Sequence, residues 1–286
     1  MLSLPGRTIK AGALTFSYRH FGHFAKALER EGQFSVNLGD NMQTFAALEF
    51  WREMGVGGEE ILEVDRDGIA AYNGEPVLLL MNGCFYEHCF PIPDAIKPVF
   101  LGFNCDETVA GKHREYLKKH EPIGCRDKAT ADALRSVGIS SFVSGCATLA
   151  FSAEAMPYMP KEYFKDMEFI FQRKIVHDCP LSPGGMEQAK IHAKNLLDYY
   201  ATQASLVITP LHHAATPCMA MGIPVVIVRK KADSRFDYLK DIVPVHVGPD
   251  FSRVDWCPKP FDAGPIRAGF IEMGKNALMR AVPAAD

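Results

Sequence analysis

The segment from residue 206 to residue 228 most constrains the fold, because it predicts a strand, a sharp turn, a short helix and a second strand. Leu206–Ile208 is apolar and β-branched, which is typical of a buried strand. Thr209 is the expected N-cap of the helix, Pro210 suits its first position, and Gly222 predicts its end. A helix that follows a buried strand indicates an open α/β sheet, whose ligands bind outside the carboxyl ends of the strands. We therefore expect a ligand at this turn.

Two adjacent histidines, His212 and His213, fall in the first turn of the predicted helix. The unpaired N–H groups and the dipole of a helix N-terminus attract anions. Neighbouring side chains on a helix diverge by about 100°, so we expect only one imidazole, that of His212, to face the ligand. The alternative is that both histidines are core residues with hydrogen bonds to the backbone. On the first interpretation, a phosphate or carboxylate lies beside a histidine that titrates near neutral pH.

The composition excludes several classes of function. A net charge of −3 over 286 residues provides no basic field for general nucleic-acid binding. No apolar run reaches the ~18 residues of a membrane-spanning helix, and the first residues lack the apolar core of a signal peptide, so we expect a cytoplasmic protein. The eight cysteines contain no Cys-x-x-Cys pair. We interpret them as buried thiols rather than zinc ligands, and we expect no metal site.

The pattern of apolar runs favours two α/β domains. Runs that predict parallel strands covered on both faces lie at residues 77–81, 99–103, 122–125 and 142–144, and a further short strand is expected at 243–247. Helices are predicted at residues 42–54 with Asp40 as N-cap, at 127–137 closed by Gly138, at 186–200 and at 266–282. Residues 153–165 lack clean periodicity, so we place an interdomain connection there. The predicted domains are residues 1–155 and 156–286.

Five short motifs are more informative together than alone, and they are Asn37–Gln43, Leu80–Gly83, Cys125–Gly138, Val143–Leu149 and Leu206–Val228. Together they resemble the polysaccharide pyruvyl transferase family over roughly residues 35 to 240. The resemblance implies a GT-B-like α/β fold, in which two Rossmann-like domains face a cleft. The N-terminal domain would form the acceptor side, and the C-terminal domain, with its closing helix, the donor side.

The resemblance also implies an activity. Members of the family transfer the enolpyruvyl unit of phosphoenolpyruvate to two hydroxyls of a sugar, which forms a cyclic ketal and releases phosphate. The expected acceptor is a sugar or glycan of a surface polysaccharide, such as an exopolysaccharide, or its precursor. Phosphoenolpyruvate is a substrate, and no dinucleotide or Walker motif is present, so we expect no cofactor. A lipid-linked acceptor, peripheral membrane association and the oligomeric state stay open.

The family motifs further imply which residues form the site. The characteristic Arg-Leu-His motif falls on Pro210, Leu211 and His212, so two of three positions match. His212 and Arg126 are the expected catalytic residues. Donor contacts are expected from Arg126, Leu211, His212, His213, Arg229 and Arg235. Acceptor contacts are expected from Asn37, Gly39, Asp40 and Asn82.

Purely structural roles stay open for these residues. Arg126 could form an ion pair with Asp127 that closes a turn. Residues 229–235 could be a solvated charged loop, and residues 37–40 could simply cap a helix.

The proline at position 210 leaves two alternative functions open. A lost arginine removes a bidentate anion contact that lysine or a helix dipole reproduces imperfectly. One alternative is a glycosyltransferase of the same architecture that uses a nucleotide sugar, because fold does not determine chemistry. The other is a catalytically inactive relative that binds saccharides.

Overall fold

The structure is a computed structural model that describes residues 9–16, 34–151, 178–181, 185–248, 252–255 and 258–281. Its strands are β1 (Lys10–Thr15), β2 (Phe34–Asn37), β3 (Ile61–Asp65), β4 (Val77–Cys84), β5 (Ile96–Asn104), β6 (Ile123–Cys125), β7 (Ser141–Val143), β8 (Asp178–Leu181), β9 (Val207–Thr209), β10 (Val225–Arg229) and β11 (Val245–Val247). Its α-helices are α1 (Leu38–Glu53), α2 (Glu107–Lys112), α3 (Arg114–Lys118), α4 (Lys128–Ser136), α5 (Gly185–Gln203), α6 (His212–Ala220) and α7 (Gly264–Ala281).

A six-stranded sheet forms the centre of the described structure, with the strand order β3-β1-β4-β5-β6-β7. All of its pairings are parallel. A three-stranded parallel sheet has the order β11-β10-β9, and β2 pairs with β8 in the antiparallel sense. The predicted α/β class with a parallel sheet is therefore confirmed.

The central strands β4 and β5 are apolar on both faces because both faces are covered. Leu78 and Leu80 of β4 belong to one hydrophobic cluster, which also contains residues of α1. Leu79 and Met81 belong to a second cluster, because successive side chains of a strand point to opposite sides. Two-sided burial explains why these strands appear in the sequence as unbroken apolar runs.

The smaller parallel sheet and α7 pack against the central unit. One cluster of buried apolar side chains includes Leu80 of β4, Val225 of β10 and Phe270 of α7. α7 contacts β5, and α5 contacts both α1 and α6. Within the described part of the chain no helix, α7 included, is long and apolar enough to cross a membrane. The predicted connection at 153–165 lies outside the described residues, and the division into two domains stays a prediction.

The start of α1 differs from its prediction. The helix begins at Leu38, directly after β2, so Asp40 lies in its first turn and not at the N-cap. The Asp40 carboxylate instead accepts a hydrogen bond from Gln43 Nε2 at 3.1 Å. The prediction of Asp40 as N-cap is wrong because strand and helix join without an intervening turn.

The start of α6 also differs from its prediction, whereas its end agrees. The N-cap is Leu211, and the Thr209 hydroxyl accepts a hydrogen bond from the Leu211 N–H at 3.0 Å. Thr209 therefore stabilises the turn after β9 and does not cap the helix. The helix ends at Ala220, and Gly222 follows with a left-handed φ of +72°, which a glycine adopts without strain.

Asp198 on α5 is a carboxylate that the packing buries. It is 1% exposed, and neither of its oxygens has a hydrogen-bond partner among the described residues. Burial raises its pKa from 3.8 to about 6, an effect that Lys194 partly offsets. Because the folded-state pKa exceeds the unfolded-state value, the folded protein holds a proton that the unfolded chain releases. Ionisation therefore destabilises the fold increasingly between these two values, and fully above the higher one.

The change Asp198→Asn is expected to increase the free energy of unfolding at pH 8 by about 1 to 3 kcal/mol, because two pKa units correspond to about 3 kcal/mol. At pH 4, where the carboxyl group is protonated in the folded protein, the gain should nearly vanish. Urea unfolding at both pH values measures the difference. Asp132→Asn, at an exposed aspartate of α4, is the matched control. An equal gain at both pH values would contradict the ionisation argument.

Candidate active site

A cavity of about 680 Å³ opens at the carboxyl ends of β4, β5 and β6. Residues from the loop after β10 complete its wall. The lining comprises Cys84, Phe85, Tyr86, Asn104, Cys105, Asp106, Glu107, Thr108, Arg126, Asp127, Ala129, Thr130, Ala133, Asp233, Ser234 and Arg235. This is the position at which open α/β sheets bind ligands.

Arg126 is a buried cation in the wall of this cavity. It directly follows β6, and its backbone N–H donates to the Phe103 carbonyl at 2.7 Å. The residue is only 2% exposed. Burial opposes the charged form, but Cys84, Cys146 and Asp127 keep the pKa of the guanidinium above its ordinary value. Arg126 therefore remains charged at every physiological pH.

The charge of Arg126 is only partly compensated. Its Nε lies 3.6 Å from Asp127 Oδ2, which is an ion pair without a hydrogen bond. Asp127 caps α4 and accepts hydrogen bonds from Thr130 and from Asn104 Nδ2. Nε and Nη2 of Arg126 have no hydrogen-bond partner in the described structure. Such a guanidinium is suited to a bidentate anionic ligand.

His212 is the first residue of α6 and lies in the interior. It is 7% exposed, and its Nε2 lies 2.7 Å from the Tyr238 hydroxyl. Burial lowers the pKa of His212 well below 6.5, and the charges of His213 and Arg126 lower it further. The imidazole is therefore neutral at pH 7. His212 is not one of the described residues that line the cavity.

The imidazole of His213 lies next to that of His212, so the prediction that only His212 faces the ligand stays a prediction. The two rings are 5.0 Å apart and nearly perpendicular, at 83°. One nitrogen of each ring and the Cys146 sulfur lie within 4.8 Å of one another, so Zn²⁺ would find suitable donor atoms here. The positive charges of Arg126, Arg229 and Arg235 also reach His212. These charges favour an anion at this position and oppose a divalent cation.

Arg229 and Arg235 are both bound to Asp233, but only Arg235 lines the cavity. Arg235 donates to both carboxylate oxygens of Asp233 and keeps a side-chain exposure of 54%. Arg229 lies 4.4 Å from the centre of the Phe236 ring and donates to the Pro210 carbonyl. Arg229 thus supports the turn at Pro210, where the family motif has an arginine, while Arg235 can reach a ligand.

The remaining predicted donor residue, Leu211, is 39% exposed at the start of α6. It is outside the described lining of the cavity. A contact between Leu211 and the donor stays a prediction.

Three of the predicted acceptor residues, Gly39, Asp40 and Asn82, are outside the described lining of the cavity. Gly39 and Asp40 lie in the first turn of α1. Asn82 is 1% exposed, and its Nδ2 donates to the Gln43 carbonyl at 2.9 Å, which ties β4 to α1. The Asn37 side chain lies outside the described part of the structure. Direct contacts between these residues and an acceptor stay predictions.

Sequence reasoning missed two groups of residues around the site. Cys146 and Tyr238 surround His212, although they are 66 and 26 positions away in the chain. Arg66 follows β3, is 1% exposed, and donates to the Cys84 carbonyl beside the cavity. Its guanidinium also lies 5.1 Å from the centre of the Tyr86 ring. The one available signal for Arg66 was its position as a charged residue directly after β3. The apolar pattern did not reveal that strand.

Comparison with protein families identifies one match. A family model described as polysaccharide pyruvyl transferase matches residues 37–229, which is about two thirds of the chain. The match includes Arg126 and His212. Comparison with curated proteins and with solved structures gives no match.

Proposed function

Because the chain belongs to the polysaccharide pyruvyl transferase family, we propose that it transfers the enolpyruvyl unit of phosphoenolpyruvate onto a sugar of a surface polysaccharide or its precursor. The family is one of transferases that modify polysaccharides, and this agrees with a sugar or glycan acceptor. The proposal includes a GT-B-like arrangement, with the cavity between two Rossmann-like units. It also includes phosphoenolpyruvate as the donor, with no cofactor.

The observation that carries the proposal is the buried guanidinium of Arg126. Two of its nitrogens lack hydrogen-bond partners in the described structure, and it lines a cavity of about 680 Å³. Phosphoenolpyruvate carries a carboxylate and a phosphate, and either group can accept two parallel N–H bonds from such a fork. A bound anion would thus supply the hydrogen-bond acceptors that these two nitrogens lack in the free protein.

The proposed reaction requires one addition and one displacement. A sugar hydroxyl adds to the central carbon of the enol, a C–O bond forms, and a proton reaches the terminal carbon, which becomes a methyl group. A second hydroxyl then displaces phosphate from the same carbon, and its proton leaves with the phosphate. Proton transfer to carbon needs a positioned acid. We assign this acid role to His212, because a bound dianionic phosphate favours its imidazolium form.

Arg235 is proposed to replace the donor contact that the motif arginine makes in the family. Arg235→Ala should raise the phosphoenolpyruvate concentration for half-maximal rate about 5- to 10-fold, a loss of about 1 to 1.5 kcal/mol for one partly exposed contact. Arg229→Ala should instead lower the melting temperature, because it removes the bonds to Pro210 and Asp233. Donor titrations and thermal unfolding of both variants separate the two roles. If neither variant changes donor use and Pro210→Arg brings no improvement, this compensation does not occur.

Product analysis tests the proposed function directly. The full chain is incubated with phosphoenolpyruvate and a panel of glycans, and mass spectrometry detects an added pyruvate ketal while inorganic phosphate is measured. Ketal and phosphate in equal amounts are expected. Release of a nucleotide from a nucleotide sugar would support the glycosyltransferase alternative. Glycan binding with no turnover of any donor would support an inactive relative, the alternative that Pro210 motivates.

A further inference from the structure

The Tyr238 hydroxyl contacts the residue on which the proposed chemistry depends. Tyr238 lies on a 3₁₀ helix, Ser234–Leu239, which also carries the cavity residue Arg235. Its ring is half-buried and reaches the loop after β7. A Cβ atom placed on Gly145 in this loop would lie 3.8 Å from the Tyr238 ring. The hydroxyl oxygen lies 2.7 Å from His212 Nε2. The hydrogen bond therefore joins two segments that are far apart in the chain.

The direction of this hydrogen bond follows from counting protons. Burial raises the pKa of the Tyr238 hydroxyl well above its ordinary value, and a bond from the Cys146 backbone partly offsets the rise. The phenol is therefore protonated. If His212 Nε2 donated to the phenolic oxygen, the buried phenolic proton would have no acceptor in the described surroundings, which is costly. The arrangement that leaves fewer buried groups unpaired has Tyr238 donating to Nε2, because only His212 Nδ1 then lacks a partner among the described residues.

We propose that Tyr238 is a positioning residue, whose hydroxyl holds neutral His212 in the tautomer that carries its proton on Nδ1. The tautomer of an imidazole is set by the hydrogen bond that its other nitrogen makes. Nδ1 of His212 is buried and has no hydrogen-bond partner among the described residues. Its N–H is thus a donor that a ligand can fill.

This assignment determines which role His212 can play. Nδ1 carries a proton both in the neutral tautomer and in the imidazolium, so in either state it presents an N–H. Like Nε and Nη2 of Arg126, it is a buried nitrogen without a hydrogen-bond partner in the described structure. In the neutral form its Nδ1–H binds an anionic group. In the imidazolium that a bound anion favours, Nδ1–H is the acid that protonates the enol carbon, and the remaining proton stays on Nε2 beside Tyr238. His212 does not accept the proton of the acceptor hydroxyl at Nδ1. This role, unlike the tautomer itself, rests on the proposed function.

Nitrogen NMR of the full chain labelled with [¹⁵N]histidine tests the tautomer without any substrate. His212→Gln identifies the resonances of His212, and spectra are recorded at pH 7.5. The expected result is a protonated Nδ1 and an unprotonated Nε2 in the wild type. Tyr238→Phe, which removes only the hydroxyl, should shift His212 towards the Nε2–H form. Tyr72→Phe is the matched control, since its hydroxyl bonds to the Glu75 carbonyl at an exposed position elsewhere.

Three spectral results would overturn the proposal: an Nε2–H tautomer in the wild type, an imidazolium in the wild type, or an Nδ1–H tautomer that Tyr238→Phe leaves unchanged. The wild-type spectrum decides the first two even if the variant does not fold.

Kinetics extends the test to the positioning role. Tyr238→Phe should lower kcat by about 10- to 100-fold, the size of effect known for lost partners that orient metal-ligating histidines, with a smaller change in the KM for phosphoenolpyruvate. Unchanged kcat together with the expected tautomer shift would refute the positioning role. Absence of pyruvyl transfer in the wild type, with the expected spectra, would refute the proposed function and leave the tautomer assignment intact.

Discussion

His212→Gln is expected to lower turnover by about 100-fold or more, the range for a lost general acid or base, while the melting temperature changes little. Glutamine retains a polar side chain of similar reach but cannot exchange a proton near neutral pH. The free protein holds this imidazole neutral because burial and the neighbouring positive charges lower its pKa. A bound dianionic phosphate acts in the opposite direction and favours the imidazolium. Rates at saturating phosphoenolpyruvate, with thermal unfolding in parallel, measure the effect.

His213→Gln is the matched comparison, because it makes the same change one position further along α6. Its ring is nearly perpendicular to that of His212. We expect this variant to alter stability or donor affinity, and not the chemical step. Full activity of the His212 variant would disprove the assignment. Equal losses at both positions would indicate that the two histidines act as a unit or that the start of α6 has been disrupted.

Arg126→Met is expected to weaken phosphoenolpyruvate binding by about 100-fold or more, since one partner of a desolvated charge pair contributes about 3 kcal/mol or more. The free energy of unfolding should change much less. Methionine fills a similar volume, and the contact with Asp127 that it removes is a 3.6 Å ion pair without a hydrogen bond. Arg126→Lys should give an intermediate loss, because lysine keeps the charge but not the fork. Calorimetric titration and urea unfolding measure the two quantities.

Arg135→Met provides the control for Arg126→Met. Arg135 lies on α4, its side chain is 49% exposed, and it pairs with Asp132. Donor binding should be unaffected in this variant. A large loss of stability in Arg126→Met with unchanged donor affinity would instead support the structural alternative, in which Arg126 and Asp127 merely close a turn.

The strands of the central sheet differ in how visible they are in the sequence. β4 and β5 are covered on both faces and therefore appear as continuous apolar runs. β1 contains Gly12 and two alanines, and β3 contains Glu63 and Asp65, so neither strand has a strong apolar pattern. Their place in the sheet depends on pairing with neighbours, as in the contact of Gly12 with Leu62 and Leu79. When a strand forms because of such packing, the local sequence alone does not predict it.

The residues of the site also differ in how far the sequence predicts their positions. The sequence by itself determined the α/β class and the family. It also determined that Arg126 directly follows β6 and that His212 follows the turn after β9, because apolar periodicity and turn residues act locally. Only the tertiary structure decided that Arg235 joins Arg126 at the cavity, that Asp233 binds both arginines of its loop, and that Tyr238 meets His212 Nε2. These contacts join segments far apart in the chain. Their geometry depends on how the two parallel sheets pack against each other, and no local pattern encodes that packing.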